Sequence, residues 1–186
     1  MINYKIKDDF SNPEPLSTLL ARLPEWRRQK ALAYKQEQGQ RECAEAYLLL
    51  EQMLGWQPEF SIAEHGKPYT PPVYFNLSHC KAAVACVVSD RECGIDVERI
   101  GRYNERLARY CMSDDEMQQI LSAESPDATF TELWTRKEAL LKLTGEGITD
   151  DMKSCLTSER MHGVTMQSGI NKEKGYAYAV AVRDNI

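Results

Sequence analysis

The sequence lacks the features that mark exported, membrane-bound and zinc-binding proteins. No apolar run approaches the roughly 20 residues of a membrane-spanning helix, and the first segment, MINYKIKDDF, has no apolar signal core. The six cysteines form no C-x-x-C pair, and no Cys/His cluster has zinc spacing. We therefore expect a cytoplasmic protein without a membrane partner, with its cysteines as small core residues.

Positive charge is also scarce. The net charge is −5, which leaves no general basic surface for nucleic acid or anionic lipid. One region is an exception, because six basic residues crowd there: Arg22, Arg27, Arg28, Lys30, Lys35 and Arg41. This local excess is suited to a small anionic ligand rather than to nucleic acid.

What the sequence does contain is ordinary globular composition, with 42% apolar and 27% charged residues in 186, and no repeat or linker. Hydrophobic periodicity and turn signals predict strands at 2–6, 59–64, 82–88, 93–98, 162–167 and 176–182. They predict helices at 24–37, at 40–54, after the capping box Ser113–Glu116, and from Ser125-Pro126 through Lys142 to a stop at Gly145. We interpret 82–88 and 93–98 as a hairpin, and the mixed order as an α+β fold.

The strand GIDVE carries two carboxylates on one face. Asp96 and Glu98 are two positions apart, so their side chains stand about 7 Å from each other along the strand. A solvated strand face explains this pattern, and so does a divalent-cation site. The second interpretation needs a third carboxylate.

The helix FTELWTRKEALLKLTG offers that carboxylate. Its apolar stripe comprises Phe130, Leu133, Trp134, Leu140 and Leu141. Lys137 falls within the stripe, where it must extend to solvent or meet an anion. Glu138 and Lys142 lie one turn apart at the edge of the stripe. They fit either a surface ion pair or a site in which Glu138 binds metal and the two lysines bind phosphate oxygens.

The segment NLSH places Ser78 beside His79. Adjacent residues of an extended segment point to opposite faces, and no G-x-S-x-G motif is present, so a serine nucleophile with a histidine base is disfavoured. His79 is suited to donating to phosphate, or to a hydrogen-bonded structural role.

Four segments together resemble one family. HGKPY (65–69), FNLSH (75–79), GIDVE (94–98) and WTRKEALLK (134–142) resemble, in order, the motifs G-K-P, F-N-x-S-H, G-[IV]-D-[IV]-E and W-x-x-K-E-[AS]-x-x-K. These belong to the 4'-phosphopantetheinyl transferases of the surfactin-synthetase-activating (Sfp) type. The resemblance covers about residues 20–148, and its last two motifs are the most specific.

The resemblance implies functional residues. Mg2+, or Mn2+, would be bound by Asp96, Glu98 and Glu138. Catalysis would rest on Glu138 and Lys142, with Glu138 or a metal-bound water that it orients as the base. Coenzyme A would contact Arg41, Lys67, Pro68, Ser78, His79, Lys137 and Lys142.

The chain also departs from the family pattern. Trp26 and Gln29 stand where relatives often carry basic residues, so Arg27, Arg28 or Lys30 would substitute in binding the 3'-phosphate. Glu116 matches a family glutamate, and it is also explained by the capping box with Ser113.

The implied fold is a pseudo-dimer of two similar α/β halves with coenzyme A in the cleft between them. We expect residues 1–101 to form the coenzyme A side, residues 102–186 to form the metal-helix and pantetheine side, and the chain to be a monomer. The implied reaction moves the phosphopantetheine arm of coenzyme A onto a serine of an acyl or peptidyl carrier protein. A docking hypothesis involves the basic series Arg102, Arg106 and Arg109, although a solvated helix face explains these residues equally well.

Two other functions remain open from the residues alone. A metal-dependent phosphodiesterase also uses clustered carboxylates, and it would usually place a lysine where this chain has Ile100. A non-catalytic coenzyme A-binding relative is the other alternative.

Overall fold

Two three-stranded antiparallel sheets form the centre of the molecule. The computed structural model describes residues 2–62, 68–70, 72–148 and 151–185. The first sheet has the order β1-β5-β4 and the second has the order β6-β8-β7. Their strands are β1 (Asn3–Lys7), β4 (Tyr74–Cys80), β5 (Ala83–Ser89), β6 (Cys93–Arg99), β7 (Val164–Asn171) and β8 (Tyr176–Arg183). A short pair, β2 (Ser61–Ile62) and β3 (Pro68–Tyr69), lies apart from both sheets. The mixed α and β class with antiparallel pairing agrees with the prediction.

Each sheet is covered by one long helix. The helices are α1 (Leu16–Ala21), α2 (Glu25–Leu32), α3 (Glu37–Leu54), α4 (Glu105–Cys111), α5 (Asp114–Ser122) and α6 (Pro126–Thr144), followed by a 3-10 turn at Met152–Ser154. Helix α3 packs on the first sheet and α6 packs on the second. Both long helices end at glycines with left-handed backbone, Gly55 (φ 76°) and Gly145 (φ 78°), where other residues would be strained.

The start signals of the later helices are confirmed. Ser113 accepts a hydrogen bond from the Glu116 backbone N–H, and the Glu116 side chain accepts one from the Ser113 N–H, which completes the capping box of α5. Pro126 occupies the first turn of α6, where its missing N–H removes no helical bond.

The predicted hairpin of 82–88 with 93–98 is wrong. β5 pairs with β1 on one side and β4 on the other, whereas β6 pairs with β8. The reason is that β5 is apolar on both faces, so it lies inside the first sheet with both edges paired. β6 packs against its face instead, where Ala83, Ala85 and Val87 share a core with Ile95 and Val97.

The pairing of β6 also bears on the two predicted halves. β6 lies on the N-terminal side of the expected boundary at residue 101, but it belongs to the second sheet. The division at 101 stays a prediction.

The edge strands of the two sheets, β4 and β6, are joined by side chains. Asn76 Oδ1 accepts the backbone N–H of Ile95 at 3.0 Å, and Ser78 Oγ accepts that of Val97 at 3.3 Å. These two residues share one face of β4, so alternate positions of the FNLSH motif satisfy successive donors of the neighbouring edge.

Five of the cysteines are buried and Cys80 is partly buried; all six lie within the described residues and form no disulfide with one another. Among the helices of the described part, none combines the length and the apolarity needed to cross a membrane.

Candidate functional site

The second sheet and α6 bring four of the predicted site residues together. Asp96 and Glu98 lie on β6, and Glu138 and Lys142 lie one turn apart on α6, which packs directly on that strand. The close approach depends on Gly94. A Cβ at this position would come within 2.5 Å of the Leu143 backbone nitrogen, so only glycine lets the helix backbone lie this close to the strand.

Asp96 is the most buried carboxylate of the group, with 2% of its surface exposed. Its Oδ1 atom accepts hydrogen bonds from Lys142 Nζ at 2.6 Å and from Ser78 Oγ at 2.9 Å. Its Oδ2 atom is buried and has no hydrogen-bond partner among the described residues. An unpartnered buried carboxylate oxygen is costly, and it indicates a position that suits a cation or another donor.

Asp96 changes the pKa values of the two remaining carboxylates, Glu98 and Glu138. Burial, followed by the charge of Asp96, raises the pKa of Glu98 to about 7. Burial and Asp96 likewise raise the pKa of Glu138, while Lys142 opposes both shifts. Three carboxylates therefore repel one another across the boundary of β6 and α6, and Lys142 offsets their charge.

This donor set fits a hard divalent cation, because it offers only oxygen ligands and one of those oxygens is unpartnered. The arrangement is not a finished metal site, however. In the described part of the chain, no group of three or more His, Cys, Asp or Glu residues stands close enough to hold an ion. The ammonium of Lys142 takes the place beside Asp96. The Mg2+ site therefore stays a prediction.

Lys137 is not part of this group. It is fully buried, and its ammonium lies 2.9 Å from Glu116 Oε2 and donates to the Met152 carbonyl oxygen at 2.8 Å. The position of this lysine in the apolar stripe predicted that it either extends to solvent or meets an anion, and Glu116 of α5 is that anion. The expected phosphate contact of Lys137 thus has no support in the geometry, because the charge is already paired inside the core.

Ser78 and His79 point to opposite sides of β4, as their extended backbone predicts. Ser78 is buried against Asp96 and also accepts from Lys142 Nζ at 3.1 Å. His79 faces α3, where its Nδ1 atom lies 3.2 Å from Glu42 Oε2. Burial lowers the pKa of His79, and Glu42 acts in the opposite direction.

A cavity of about 700 Å³ lies on the His79 side of β4. Two cationic residues of α2, Arg27 and Lys30, line it together with Pro68 and His79. The remaining wall is largely aromatic and apolar and comprises Trp26, Tyr34, Cys43, Tyr47, Phe60, Phe75, Asn76 and Leu77. An aromatic chamber with a cationic wall suits a ligand that carries both a flat base and a phosphate.

Two further coenzyme A contacts were predicted, at Arg41 and Lys67. Arg41 donates to the Glu14 carbonyl oxygen and lies 3.6 Å from Glu37, so its guanidinium is engaged away from the cavity. Lys67 lies outside the described residues. Among the described residues, the cations that line the cavity are Arg27 and Lys30, two of the three substitutes that the sequence had suggested.

Sequence reasoning assigned no role to Asn76, Glu42 or Tyr34. Asn76 could have been found, because it alternates with Ser78 on one strand face. Glu42 and Tyr34 carried no local signal, since their proximity to His79 depends on how α2 and α3 pack.

Residues 92–183 match the sequence model of the 4'-phosphopantetheinyl transferase superfamily. The chain is thus similar to this superfamily over about half of its length. The matched segment contains both GIDVE and WTRKEALLK, hence all three carboxylates and Lys142. The superfamily motifs are thus the same residues that the fold brings together at β6 and α6.

The chain is also similar to individual 4'-phosphopantetheinyl transferases. The chain is 41% identical over 100 residues to the 4'-phosphopantetheinyl transferase psf-1 of Bacillus pumilus, which covers 51% of this chain and 43% of that protein. It is 32% identical over 108 residues to the 4'-phosphopantetheinyl transferase Sfp of Bacillus subtilis (strain 168), covering 55% and 47%. It is 40% identical over 107 residues to the 4'-phosphopantetheinyl transferase AcpT of Salmonella typhi, covering 53% and 55%. The chain thus spans about half the length of these relatives.

Proposed function

We propose that this protein transfers the 4'-phosphopantetheine arm of coenzyme A to a serine of an acyl or peptidyl carrier protein and releases 3',5'-ADP. The observation that carries the proposal is the convergence of Asp96, Glu98, Glu138 and Lys142 within the segment that matches the superfamily. The cationic cavity on the other side of β4 supports it, because coenzyme A carries a pyrophosphate and a separate 3'-phosphate.

Asp96, Glu98 and Glu138 are the residues that would hold Mg2+. The unpartnered Oδ2 atom of Asp96 and the raised pKa values of Glu98 and Glu138 support this role, since a cation would relieve the repulsion among them. The chemistry that Mg2+ supplies when bound is neutralisation of the pyrophosphate charge that would repel a nucleophile.

The transfer itself needs a base and a positive charge at the leaving group. The carrier serine oxygen forms a bond to the pantetheine-side phosphorus while the bond from that phosphorus to the bridging oxygen breaks. Glu138, or a metal-bound water that it orients, takes the serine proton. Lys142 stabilises the charge that develops on the departing 3',5'-ADP.

The two sheets with their long helices correspond, in this proposal, to two halves of a monomer in the cytoplasm.

Carrier docking would use Arg102, which precedes α4, and Arg106, which lies on α4 beside the exposed side chain of Leu107. Arg109 contributes less, because it pairs with Glu105 within the helix. Charge reversal at Arg102 and Arg106 should raise the KM for the carrier and leave the KM for coenzyme A unchanged. An unaltered carrier KM would exclude this surface.

The decisive experiment incubates the protein with coenzyme A, Mg2+ and an apo-carrier protein and weighs the carrier by mass spectrometry. We expect a mass gain equal to the phosphopantetheine arm, and its loss with Asp96→Asn, whose circular dichroism should match the parent. An unmodified carrier would overturn the proposal.

The same reaction separates the alternatives. Release of 3',5'-ADP without carrier modification would indicate a phosphodiesterase. Binding of coenzyme A without any product would indicate a non-catalytic relative.

A further inference from the structure

The Ser78 hydroxyl is a junction of three elements, β4, β6 and α6. It donates a hydrogen bond to Asp96 Oδ1 at 2.9 Å. Its oxygen accepts from the Val97 backbone N–H at 3.3 Å and from Lys142 Nζ at 3.1 Å. A serine hydroxyl has one proton to donate and two lone pairs with which to accept. All three of its hydrogen-bonding positions are therefore occupied within the protein.

These contacts leave Ser78 without a hydrogen bond to offer to coenzyme A. The residue is 6% exposed, and its only hydroxyl proton bonds to Asp96. Phosphate oxygens are acceptors, so a phosphate would have to take that proton away from Asp96. The loss of a hydrogen bond to a buried charged group is costly. The contacts of Ser78 thus favour a role toward Asp96 over the ligand contact that the FNLSH motif suggested.

The strands, and not a ligand, set the position of Ser78. Ile95 and Val97 flank Asp96 on β6, and their backbone N–H groups donate to Asn76 and Ser78, two alternate residues of β4. The backbone of Asp96 is therefore tied to β4 on both sides. As a result, the Ser78 oxygen is fixed next to the residue whose carboxylate it contacts.

Ser78 and Lys142 share one oxygen of the Asp96 carboxylate. Both donate to Oδ1, whereas the buried Oδ2 atom has no partner among the described residues. The Lys142 side chain is 29% exposed, whereas Ser78 and Asp96 are buried. In the proposed mechanism Lys142 serves the leaving group, so it has to give up part of its contact with Asp96. The Ser78 hydroxyl is the donor that remains at Oδ1, and Oδ2 is the oxygen open to a cation.

We propose that Ser78 is a positioning residue that fixes the Asp96 carboxylate for a divalent cation and does not contact coenzyme A. Hydrogen-bond partners of a metal-binding carboxylate orient it, and their loss typically costs about 10–100-fold in metal affinity or activity. The inference rests on the proposed function in taking Asp96 as a metal ligand. Direct contact with a ligand phosphate is the competing role, and the two roles predict opposite binding data.

The test uses Ser78→Cys, because a thiol keeps nearly the same shape but is a weak donor and acceptor. Binding of Mn2+ alone is measured by electron paramagnetic resonance, which counts the free ion, and binding of coenzyme A is measured by calorimetry without metal. We expect Mn2+ to bind about tenfold more weakly or worse and coenzyme A to bind as in the parent. Unchanged Mn2+ affinity, weaker coenzyme A binding, or a parent that binds no Mn2+ would each overturn the inference.

Two further variants separate the hydroxyl from its surroundings. Ser168→Cys is the matched control, because Ser168 is a strand residue of β7 that donates to a carboxylate of α6, Glu132, at 2.8 Å but lies outside the group of Asp96. It should change neither affinity. Ser78→Thr keeps the hydroxyl and should restore most of the Mn2+ affinity. A folded Ser78→Thr protein that binds Mn2+ as weakly as Ser78→Cys would contradict the role of the hydroxyl; circular dichroism and urea unfolding establish that each variant is folded.

Transfer kinetics give a second readout. At saturating Mg2+, Ser78→Cys should lower kcat and leave the KM for coenzyme A unchanged, whereas a raised KM with parental kcat would contradict positioning. The failure of the proposed function is distinguishable from the failure of this inference. Weakened Mn2+ binding in Ser78→Cys, with no carrier modification by the parent, would retain the role of Ser78 and remove the proposed function. Carrier modification by the parent, with parental Mn2+ affinity in Ser78→Cys, would do the reverse.

Discussion

The ammonium nitrogen of Lys142 lies 2.6 Å from Oδ1 of Asp96, although the two residues are 46 positions apart and belong to a helix and a strand. This contact balances the buried charge of Asp96. It also implies competition, because a metal ion at the same carboxylate has to share it with the ammonium.

Replacement of Lys142 by methionine tests that competition. Lys142→Met should lower kcat/KM for coenzyme A by about 100-fold or more, because the leaving group loses its positive partner. It should also tighten the binding of Mg2+ alone, measured by calorimetry, because Asp96 no longer has an ammonium beside it. Lys153→Met, at an exposed lysine, is the control and should change neither quantity. Weaker Mg2+ binding in Lys142→Met would contradict the competition.

The close contact between β6 and α6 predicts that replacing Gly94 destabilises the protein. Gly94→Ala places a Cβ about 2.5 Å from the Leu143 backbone nitrogen, and backbone atoms cannot give way as a flexible side chain would. We expect the free energy of unfolding in urea to fall by about 1–3 kcal/mol or more. Gly101→Ala is matched, because its Cβ would lie 3.9 Å from the nearest atom, and it should be nearly neutral. Equal stability of the two variants would show that the helix is not held against the strand as described.

The hydrogen bond from the Ile95 N–H to Asn76 joins the two sheets, and its loss should destabilise β6 locally. Asn76→Ala removes the acceptor of the Ile95 N–H and leaves a buried donor unsatisfied, which costs about 1–3 kcal/mol. Hydrogen exchange at the Ile95 amide should accelerate more than exchange in β8, which retains its ladder. Ser122→Ala removes an exposed hydroxyl that bonds only within α5, and it should leave exchange in β6 unchanged. Uniform acceleration through both sheets would indicate global destabilisation instead.

The buried pair of Lys137 and Glu116 distinguishes a structural role from phosphate binding. Lys137→Met leaves Glu116 without its cation and should cost about 3–5 kcal/mol of unfolding free energy. The double variant with Glu116→Gln should recover part of that loss, because no uncompensated charge remains. Both quantities come from urea unfolding. A single variant of parental stability with a raised KM for coenzyme A would restore the phosphate role that the motif suggested.

Local sequence signals predicted much of the secondary structure and part of the site. The capping box of Ser113 and Glu116, the start of α6 at Pro126 and its end at Gly145 all depend on nearby residues, so they were readable from the chain. The opposite orientation of Ser78 and His79 followed in the same way from the period of an extended strand.

The sequence did not predict contacts between residues that lie far apart in the chain. The turn at 89–92 indicated a hairpin, but a turn specifies only a change of direction, and the two apolar faces of β5 decided that its neighbours would be β1 and β4. The sequence did not predict the partner of Lys137 either. The stripe of α6 predicted that Lys137 either extends to solvent or meets an anion, and only the packing of α5 determined that it meets Glu116.

By itself, the sequence determined the chemical groups of this protein. Its alternation sets Asp96 and Glu98 on one strand face, its helix carries Glu138 and Lys142, and Gly94 is the small residue at which α6 approaches β6. The tertiary structure decided which of those groups meet. It placed α6 on β6 so that Lys142 reaches Asp96, it buried Lys137 with Glu116, and it set Glu42 behind His79. The physical reason is that periodicity acts over a few residues, whereas ion pairs and burial depend on which surfaces the folded chain brings into contact.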